Sequence, residues 1–526
     1  MEITSPTRGT KRKYSGYQIK RALSGGNDSE IAKQSNTIQA QGTELKAWRS
    51  GLESEEDVIF HQPPPNQMAS GARPRHYNDN YYQGLYSTES EFAILGQKYP
   101  EFGAVLKDGT QLDFTDPAAV MQLTKTLLKE DFGLQIDLPP DRLCPPVPNR
   151  HNYLLWLKDL LDSSSSSYRE QYEPERRVTG LDIGTGASLI YPLLGCVQRP
   201  WHFIATDVDF KSLSYARLNA RLNNLESRIR IVGRDASASL IPLDELNVST
   251  IDFVMVNPPF YASDAELLKL AAQKSRPPYS ACTGAPVEMV CEGGEIGFVQ
   301  RMINESLVLR ERVQWYTAML GKQSSLKVLI DTLRRHHINN YAVKAFIQGN
   351  KTRRWAIGWS FVTRRPSLSA SRGHDYFATK RLLPPITEII IGGPFPKVNR
   401  EAIPRHERAL CDAMESLDLV SWFWDKQRLR GVGFADGNVW SRAYRRRRAA
   451  GDFPVKQLAA SSVLEVATCA FGFSVSLRVG KDPGDLYGSV AVVLRWLQGD
   501  DHSLFESFVG MIRGRLETSG AGSTRE

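Results

Sequence analysis

"IDFVMVNPPFYAS", residues 251–263, runs six mostly apolar residues into an amide, two prolines and an aromatic pair. The apolar run reads as a buried strand. Pro258 and Pro259 cannot donate to a sheet ladder, and a residue before proline is driven out of helical space, so the strand ends there. Asn257 and Phe260 are then held in a rigid turn at the carboxyl end of a strand, the edge where open α/β sheets place their ligands.

Around this stretch the chain alternates. Strands are expected near "VTGLDIG", "HFIATDVD", "RIRIVG", "IDFVMVN", "VQWYTAML", "YAVKAFIQG" and "RWAIGWSFV", with helices such as "KSLSYARLNARLNNL" between most of the early ones. That pattern predicts an α/β domain with a mostly parallel seven-stranded sheet covered on both faces. The short turn "GNKTR" between the last two strands predicts an antiparallel hairpin at the sheet edge.

The first strand ends "LDIGTGAS", with Asp182 before Gly184, Thr185, Gly186 and Ala187. Leu189 stands where a dinucleotide enzyme would carry its third glycine. About twenty residues on, Asp207 closes the second strand, placed to accept from the ribose hydroxyls of an adenosine-containing cofactor. Together these features favour S-adenosylmethionine over a nicotinamide cofactor, because a sulfonium cofactor has no pyrophosphate that needs a helix N-terminus. The competing readings give Asp182 to a turn and make Asp207 the cap of the helix beginning near Lys211.

The turn at 257–260 suits one acceptor group well. The lone pair of adenine's exocyclic amine is conjugated with the ring, so the amine is a poor nucleophile until its geometry is changed. The Asn257 side-chain oxygen and the Pro258 carbonyl can each accept from that amine, the two prolines make the pair rigid, and Phe260 offers a ring for the base, a stacking contact worth roughly 1–3 kcal/mol. No strong base is required, because orientation alone contributes on the order of 7–11 kcal/mol.

Composition sets outer limits. With 526 residues, two domains plus unstructured segments are expected. Hydrophobic content of 41% and ten tryptophans exclude a wholly disordered chain. A formal charge of +8 is compatible with a polyanionic partner. The six cysteines have neither C-x-x-C nor Cys/His spacing and read as reduced thiols, with no metal site. The start "MEITSPTRGTKRKYSG" lacks the apolar core of a signal peptide, and "VLEVATCAFGFSVSLRV", carrying Glu465 and Arg478, reads as a strand pair rather than a membrane span.

The blocks "LCPPVPNRHNYLLWLKDLL", "GLDIGTGASLIYPLLG", "FIATDVD", "VNPPFYA", "EMVCEGGEIGFVQRMINES", "WYTAMLGKQSSL" and "FIQGNKTRRWAIGWSF" together resemble the methyltransferase-like 16 family over about residues 73–362. The resemblance implies a class I, Rossmann-like methyltransferase that moves a methyl group from S-adenosylmethionine to N6 of adenosine in structured RNA, including spliceosomal small nuclear RNA. It implies Asn257, Pro258, Pro259 and Phe260 as the catalytic tetrad, Gly184 to Ala187 as the cofactor loop, and Arg150 in "PNRHNY" as a contact of the methionine carboxylate. Asp207 stands where animal members carry glutamate. "CEGGE", Cys291 to Glu295, resembles part of the substrate-side loop, its glycines suggesting mobility or a helix cap.

The organisation that follows is a disordered tail at 1–72, a helical and basic RNA-binding extension at 73–170, the methyltransferase domain at 171–366, a linker at 367–383, an α+β accessory domain at 384–517 and a tail at 518–526. In the extension, "RPRHYNDNYY" mixes cations with rings suited to stacking, and the run Ser163 to Ser167 reads as a surface loop. Candidate RNA contacts are Arg73, Arg75, Lys274, Arg276, Lys322, Arg353, Arg354, Arg445 and Arg446, the last two in "WSRAYRRRRAAG", read as an RNA-facing loop or a nuclear localisation signal. The target adenosine should lie in a loop or bulge, because bases inside an A-form duplex are unreachable. A monomer or weak dimer, nuclear or cytoplasmic and without a membrane partner, is expected. Other readings remain open at this point, since an N-P-P-[FY] turn also serves glutamine methylation in release factors and adenine methylation in DNA, and an RNA-binding regulator with slow turnover would keep the same tetrad.

Overall fold

The computed structural model describes residues 79–86, 91–263, 265–266, 284–348, 352–373, 382–392, 402–450, 466–480 and 489–521. The stretch 1–72 and the candidates Arg73, Arg75, Lys274 and Arg276 lie outside them. The central sheet comprises β1 (Thr179–Ile183), β2 (His202–Asp207), β3 (Ile229–Gly233), β4 (Ile251–Val256), β5 (Val313–Leu320), β6 (Tyr341–Gln348) and β7 (Thr352–Trp359). Their order is β3-β2-β1-β4-β5-β7-β6, parallel except for β7, which runs antiparallel to both β5 and β6. The order reverses between β1 and β4, and a ligand crevice opens at such a switch point.

Both faces of the sheet are buried, which is why its strands read as nearly unbroken apolar runs. Phe253 and Met255 of β4 point into one cluster, with α2 (Val147–Ser163) and α3 (Ile190–Gln198). Val254 and Val256 point into the other, with α5 (Gly294–Leu309) and α6 (Gln323–Arg335). Two further helices show their signals plainly. In α1 (Pro117–Phe132), the Asp116 carboxylate accepts from Ala118 N, proline opens the first turn, and Gly133 closes the helix with a φ of 67°. In α4 (Phe210–Leu222), Asp209 accepts from Ser212 N, so Asp209 rather than Asp207 is the cap.

The accessory part is an antiparallel sheet of β8 (Glu388–Gly392), β9 (Ser421–Asp425), β10 (Arg430–Ala435), β11 (Phe471–Gly480) and β12 (Ser489–Gln498), ordered β8-β12-β11-β10-β9. Its core is shared with α7 (Ala402–Glu415) and α9 (His502–Ala521). Within "VLEVATCAFGFSVSLRV" the structure has a single strand, β11, preceded by a helical turn at Val466 and Ala467, in place of a strand pair. β11 finds its partners in β10 and β12, residues distant enough that the segment alone does not announce them. No helix among the described residues is long and apolar enough to cross a membrane.

Several local readings are corrected. The serine run is a surface turn only at Ser166 and Ser167: Ser164 and Ser165 are buried, and the Ser164 hydroxyl accepts from Trp315 Nε1 at 2.9 Å. The Ser163 carbonyl accepts from Arg495 of β12, and Glu170 pairs with both Arg495 and Arg430, so this segment joins the two sheets. The stretch 367–383 is not free chain where it is described, since its helix Leu368–Arg372 offers the Ala370 carbonyl to Trp156 Nε1 at 2.7 Å. α9 continues through 518–521, which the sequence assigns to a tail. Tyr82 is a core residue rather than a stacking platform for a base: it stacks on Phe132 at 5.7 Å.

Candidate active site

The prolines end β4 as expected, and Asn257 emerges beside three other elements. Arg150, on the first turn of α2, is 6% exposed. Its Nη1 donates to Asn257 Oδ1 at 3.1 Å, to the Tyr191 hydroxyl of α3 at 3.2 Å and toward Met319 Sδ of β5 at 3.3 Å. The guanidinium also lies 5.6 Å from the centre of the Tyr191 ring. One buried cation thus fixes which way the Asn257 amide faces and leaves its oxygen a second lone pair.

The turn is held equally firmly on its far side. Tyr261 N donates to the Met289 carbonyl and Cys291 N to the Tyr261 carbonyl, each at 3.0 Å. Gly293 and Gly294 have φ of 72° and 59°, and a Cβ on Gly294 would stand 3.4 Å from the Phe260 carbonyl oxygen. The glycines of "CEGGE" therefore serve as a helix cap, Gly293 being the N-cap residue of α5, and the segment clamps the turn. Its last residue, Glu295, is buried and accepts from Gly321 N at 2.6 Å and Lys322 N at 3.1 Å, tying the start of α5 to the end of β5. Phe260 packs across that junction, with its Cδ1 3.2 Å from where a Cβ on Gly321 would be. The Arg354 guanidinium stands 5.9 Å from the Phe260 ring centre. Burial, with Arg150 nearby, holds the Arg354 pKa below its ordinary value.

On the other side of Asn257 lies the glycine loop. Gly184 and Gly186 both have φ of 67°, a conformation glycine adopts without strain. Thr185 N donates to the Thr206 carbonyl at 2.9 Å and Gly186 N to Asp207 Oδ2 at 2.8 Å, which pins the loop to the end of β2. Asp182 is fully buried, and neither of its carboxylate oxygens nor the Thr185 hydroxyl has a hydrogen-bond partner. Burial pushes the Asp182 carboxyl up to about 7; the nearby Thr185 hydroxyl, outside bonding geometry, and the Arg150 charge oppose that shift, while the Asp207 charge adds to it. Burial raises Asp207 as well, against the amide bonds from Asp209 and Gly186.

Buried polar atoms without partners are costly and rare. Here three of them border a glycine loop with nothing within 4 Å of a Cβ on Gly184, and the Asp207 carboxylate stands alongside. That donor set fits an adenosine-bearing cationic cofactor: acceptors for its ammonium and ribose hydroxyls, net negative charge, and backbone that permits close approach. Among the described residues no group of three or more His, Cys, Asp or Glu is placed to hold a metal ion.

The structure brings Arg150, Asp182, Gly184 to Ala187, Asp207 and Asn257 to Phe260 to one end of the sheet. Arg354 and Lys322 are at its margin, Lys322 in an ion pair with Glu266 at 3.1 Å and Arg353 exposed next to Arg354. Arg445 and Arg446 belong elsewhere, on an exposed helix of the accessory part, α8 (Arg442–Ala449), rather than on a loop. Ser441 caps that helix. Tyr191, Met319, Glu288 and Glu295 were not singled out from the sequence. Each sits inside a long family-like block without a spacing that marks it.

A sheet in this order, with a glycine loop after β1, a carboxylate closing β2 and N-P-P-F closing β4, defines a class I methyltransferase. A family described as RNA methyltransferase matches residues 73–363, and the chain belongs to that family, the one that includes METTL16. It is 43% identical over 281 residues to the RNA N(6)-adenosine-methyltransferase METTL16 of Mus musculus, covering 52% of this chain and 49% of the relative. It is 42% identical over 261 residues to the U6 small nuclear RNA (adenine-(43)-N(6))-methyltransferase of Schizosaccharomyces pombe, covering 50% and 65%. A solved structure of the N-terminal domain of human METTL16 in complex with SAH is 38% identical, with a TM-score of 0.43, covering 55% of this chain and 98% of that one. The chain spans about half the length of the first curated relatives it matches.

Two consequences are measurable. A Cβ at position 321 would push on both Phe260 and Glu295 Oε2, so Gly321→Ala should lower kcat/KM about tenfold, the order expected when a stacking contact is lost. Unchanged turnover would show that Phe260 tolerates displacement. The second concerns pH. Because the folded state keeps the Asp182 proton up to about 7 while the ordinary carboxyl loses it near 3.8, the folded protein binds more protons between these values and stability falls as pH rises through that window. The fall amounts to on the order of 4 kcal/mol. Thermal unfolding of ligand-free protein at pH 5 and pH 8 should show Asp182→Asn to be more stable than wild type at pH 8 and less pH-sensitive. An identical pH slope in both would contradict this.

Proposed function

We propose that the protein methylates N6 of adenosine in structured RNA, spliceosomal small nuclear RNA being the leading substrate, with S-adenosylmethionine as donor. The observation that carries this reading is the Asn257 side-chain oxygen held by Arg150 at the end of β4, with the same buried cation acting on the unpartnered Asp182 of the glycine loop. The relatives are named for the same reaction.

Bound S-adenosylmethionine would supply an electrophilic methyl group on a sulfonium. The chain's own residues do the rest. Asp207 accepts from ribose, Asp182 and Thr185 from the amino-acid end, and Arg150 contacts the carboxylate while continuing to hold Asn257. Asn257 Oδ1 and the Pro258 carbonyl accept the two amine hydrogens of adenine and draw its lone pair out of conjugation. Phe260 stacks on the base, and Arg354 keeps a positive charge over that ring. Lys322, Arg353 and Arg354 contact phosphates at the mouth of the site, and Arg73, Arg75, Lys274 and Arg276 are further candidate RNA contacts. Arg445 and Arg446 supply a second, sequence-independent phosphate contact from the accessory part. Such a substrate would place the protein's work inside the cell, in the nucleus.

Labelled S-adenosylmethionine offered to total RNA, DNA and protein from the source cell tests this directly. The label should appear in N6-methyladenosine of RNA with wild type, and fall by at least about a hundredfold with Asn257→Ala, the scale of losing one positioned electrostatic group. Label in a protein glutamine or in DNA would overturn the choice of acceptor.

A further inference from the structure

The segment from Ala285 to Glu295 touches both halves of the site. Its middle and far end hold the catalytic turn through the Met289 carbonyl, Cys291 N and Glu295. Its near end carries Glu288, which is half-buried and reaches the other way. Glu288 Oε2 accepts from Leu143 N at 2.9 Å and from Ala285 N at 2.8 Å, so the carboxylate is fixed in place. Oε1 takes part in neither bond and lies 3.8 Å from where a Cβ on Gly186 would stand.

That position is odd for a structural carboxylate. Gly186 already donates to Asp207, and the Asp207 charge acts unfavourably on Glu288. Like charges brought together without a cation between them are destabilising. The Arg142 charge favours the Glu288 carboxylate and partly offsets this, but its guanidinium is bonded to Asp209 at 2.9 Å and Asp141 at 2.8 Å, not to Glu288. What would suit two fixed carboxylates flanking a glycine loop is a ligand presenting two adjacent donors, and a ribose has two vicinal hydroxyls.

We infer that Glu288 is a second carboxylate of the nucleoside pocket, its Oε1 accepting from one ribose hydroxyl of the cofactor while Asp207 accepts from the other. The inference rests on the reading of S-adenosylmethionine as cofactor. It gives the segment a job beyond clamping. The Met289 carbonyl that holds Tyr261 belongs to the residue following Glu288, so a bond from cofactor to Glu288 stiffens the backbone that carries the catalytic turn. Cofactor occupancy is thereby coupled to the readiness of Asn257 and Phe260 for the base.

The test is calorimetric binding of S-adenosylhomocysteine and of its 2′-deoxy and 3′-deoxy analogues to wild type and Glu288→Gln. Glutamine keeps a carbonyl oxygen for Leu143 and Ala285 while replacing Oε1 with a donor, so the fold of the segment is preserved. The variant should bind S-adenosylhomocysteine about tenfold or more weakly, as expected for losing a hydrogen bond to a charged acceptor, and that penalty should vanish on one of the two deoxy analogues. Amide exchange at Tyr261 and Cys291 should slow on ligand binding in wild type and slow less in the variant. Equal affinity in the two proteins, or a penalty of the same size on all three ligands, would overturn the inference while leaving the cofactor reading intact. Wild type that fails to bind S-adenosylhomocysteine would overturn the cofactor reading itself, and this inference with it.

Discussion

A single buried guanidinium organises this site. Arg150 reaches from α2 to the end of β4, to α3 and to β5, and each of those contacts is something the fold must deliver independently. A cation taken out of water without such partners would cost several kcal/mol. The apolar packing of α2 against the sheet, with Tyr153, Leu154, Trp156 and Leu157 fully or almost fully buried, stabilises the helix that carries it. The extension before β1 is for this reason part of the active site and not an appendage to it. It supplies the residue that orients Asn257, and its serine run joins the methyltransferase sheet to the accessory sheet.

Against that well-satisfied cation stands an unsatisfied carboxyl group. Asp182 is buried on the same side of the sheet end, its oxygens without partners and its proton held up to about 7. A chain selected only for stability would place an asparagine or an apolar residue there. The arrangement is a stored cost at a functional position, offset by the two large clusters on either face of the sheet.

Much of the fold was legible because its signals are local. Six of the seven strands of the central sheet are mostly apolar runs ended, at their last residue or within two residues after it, by glycine, aspartate or proline, and the edge hairpin follows from its turn. The glycine loop, Asp207 and the N-P-P-F turn could be read for the same reason. What escaped was whatever depends on contacts far apart in sequence. Arg150 and Asn257 are separated by 107 positions, and no pattern in either segment names the other. Glu288 looks like any carboxylate in a short helix until Leu143 and Gly186 are seen beside it. Tyr82 and Ser164 were misread because rings and hydroxyls have the same composition whether they face a partner or their own core. The arginine run 445–448 was misread as loop because charge was weighed above propensity, although arginine is a good helix former and Ser441 is a good cap.

The roles of Asn257 and Pro258 as acceptors are tested most directly by a crystal structure with S-adenosylhomocysteine and an RNA hairpin carrying an unpaired adenosine. The adenine should stack on Phe260 with its exocyclic nitrogen about 2.7–3.2 Å from both Asn257 Oδ1 and the Pro258 carbonyl. An adenine bound elsewhere, or an amine facing away from these two oxygens while both ligands are present, would contradict those roles.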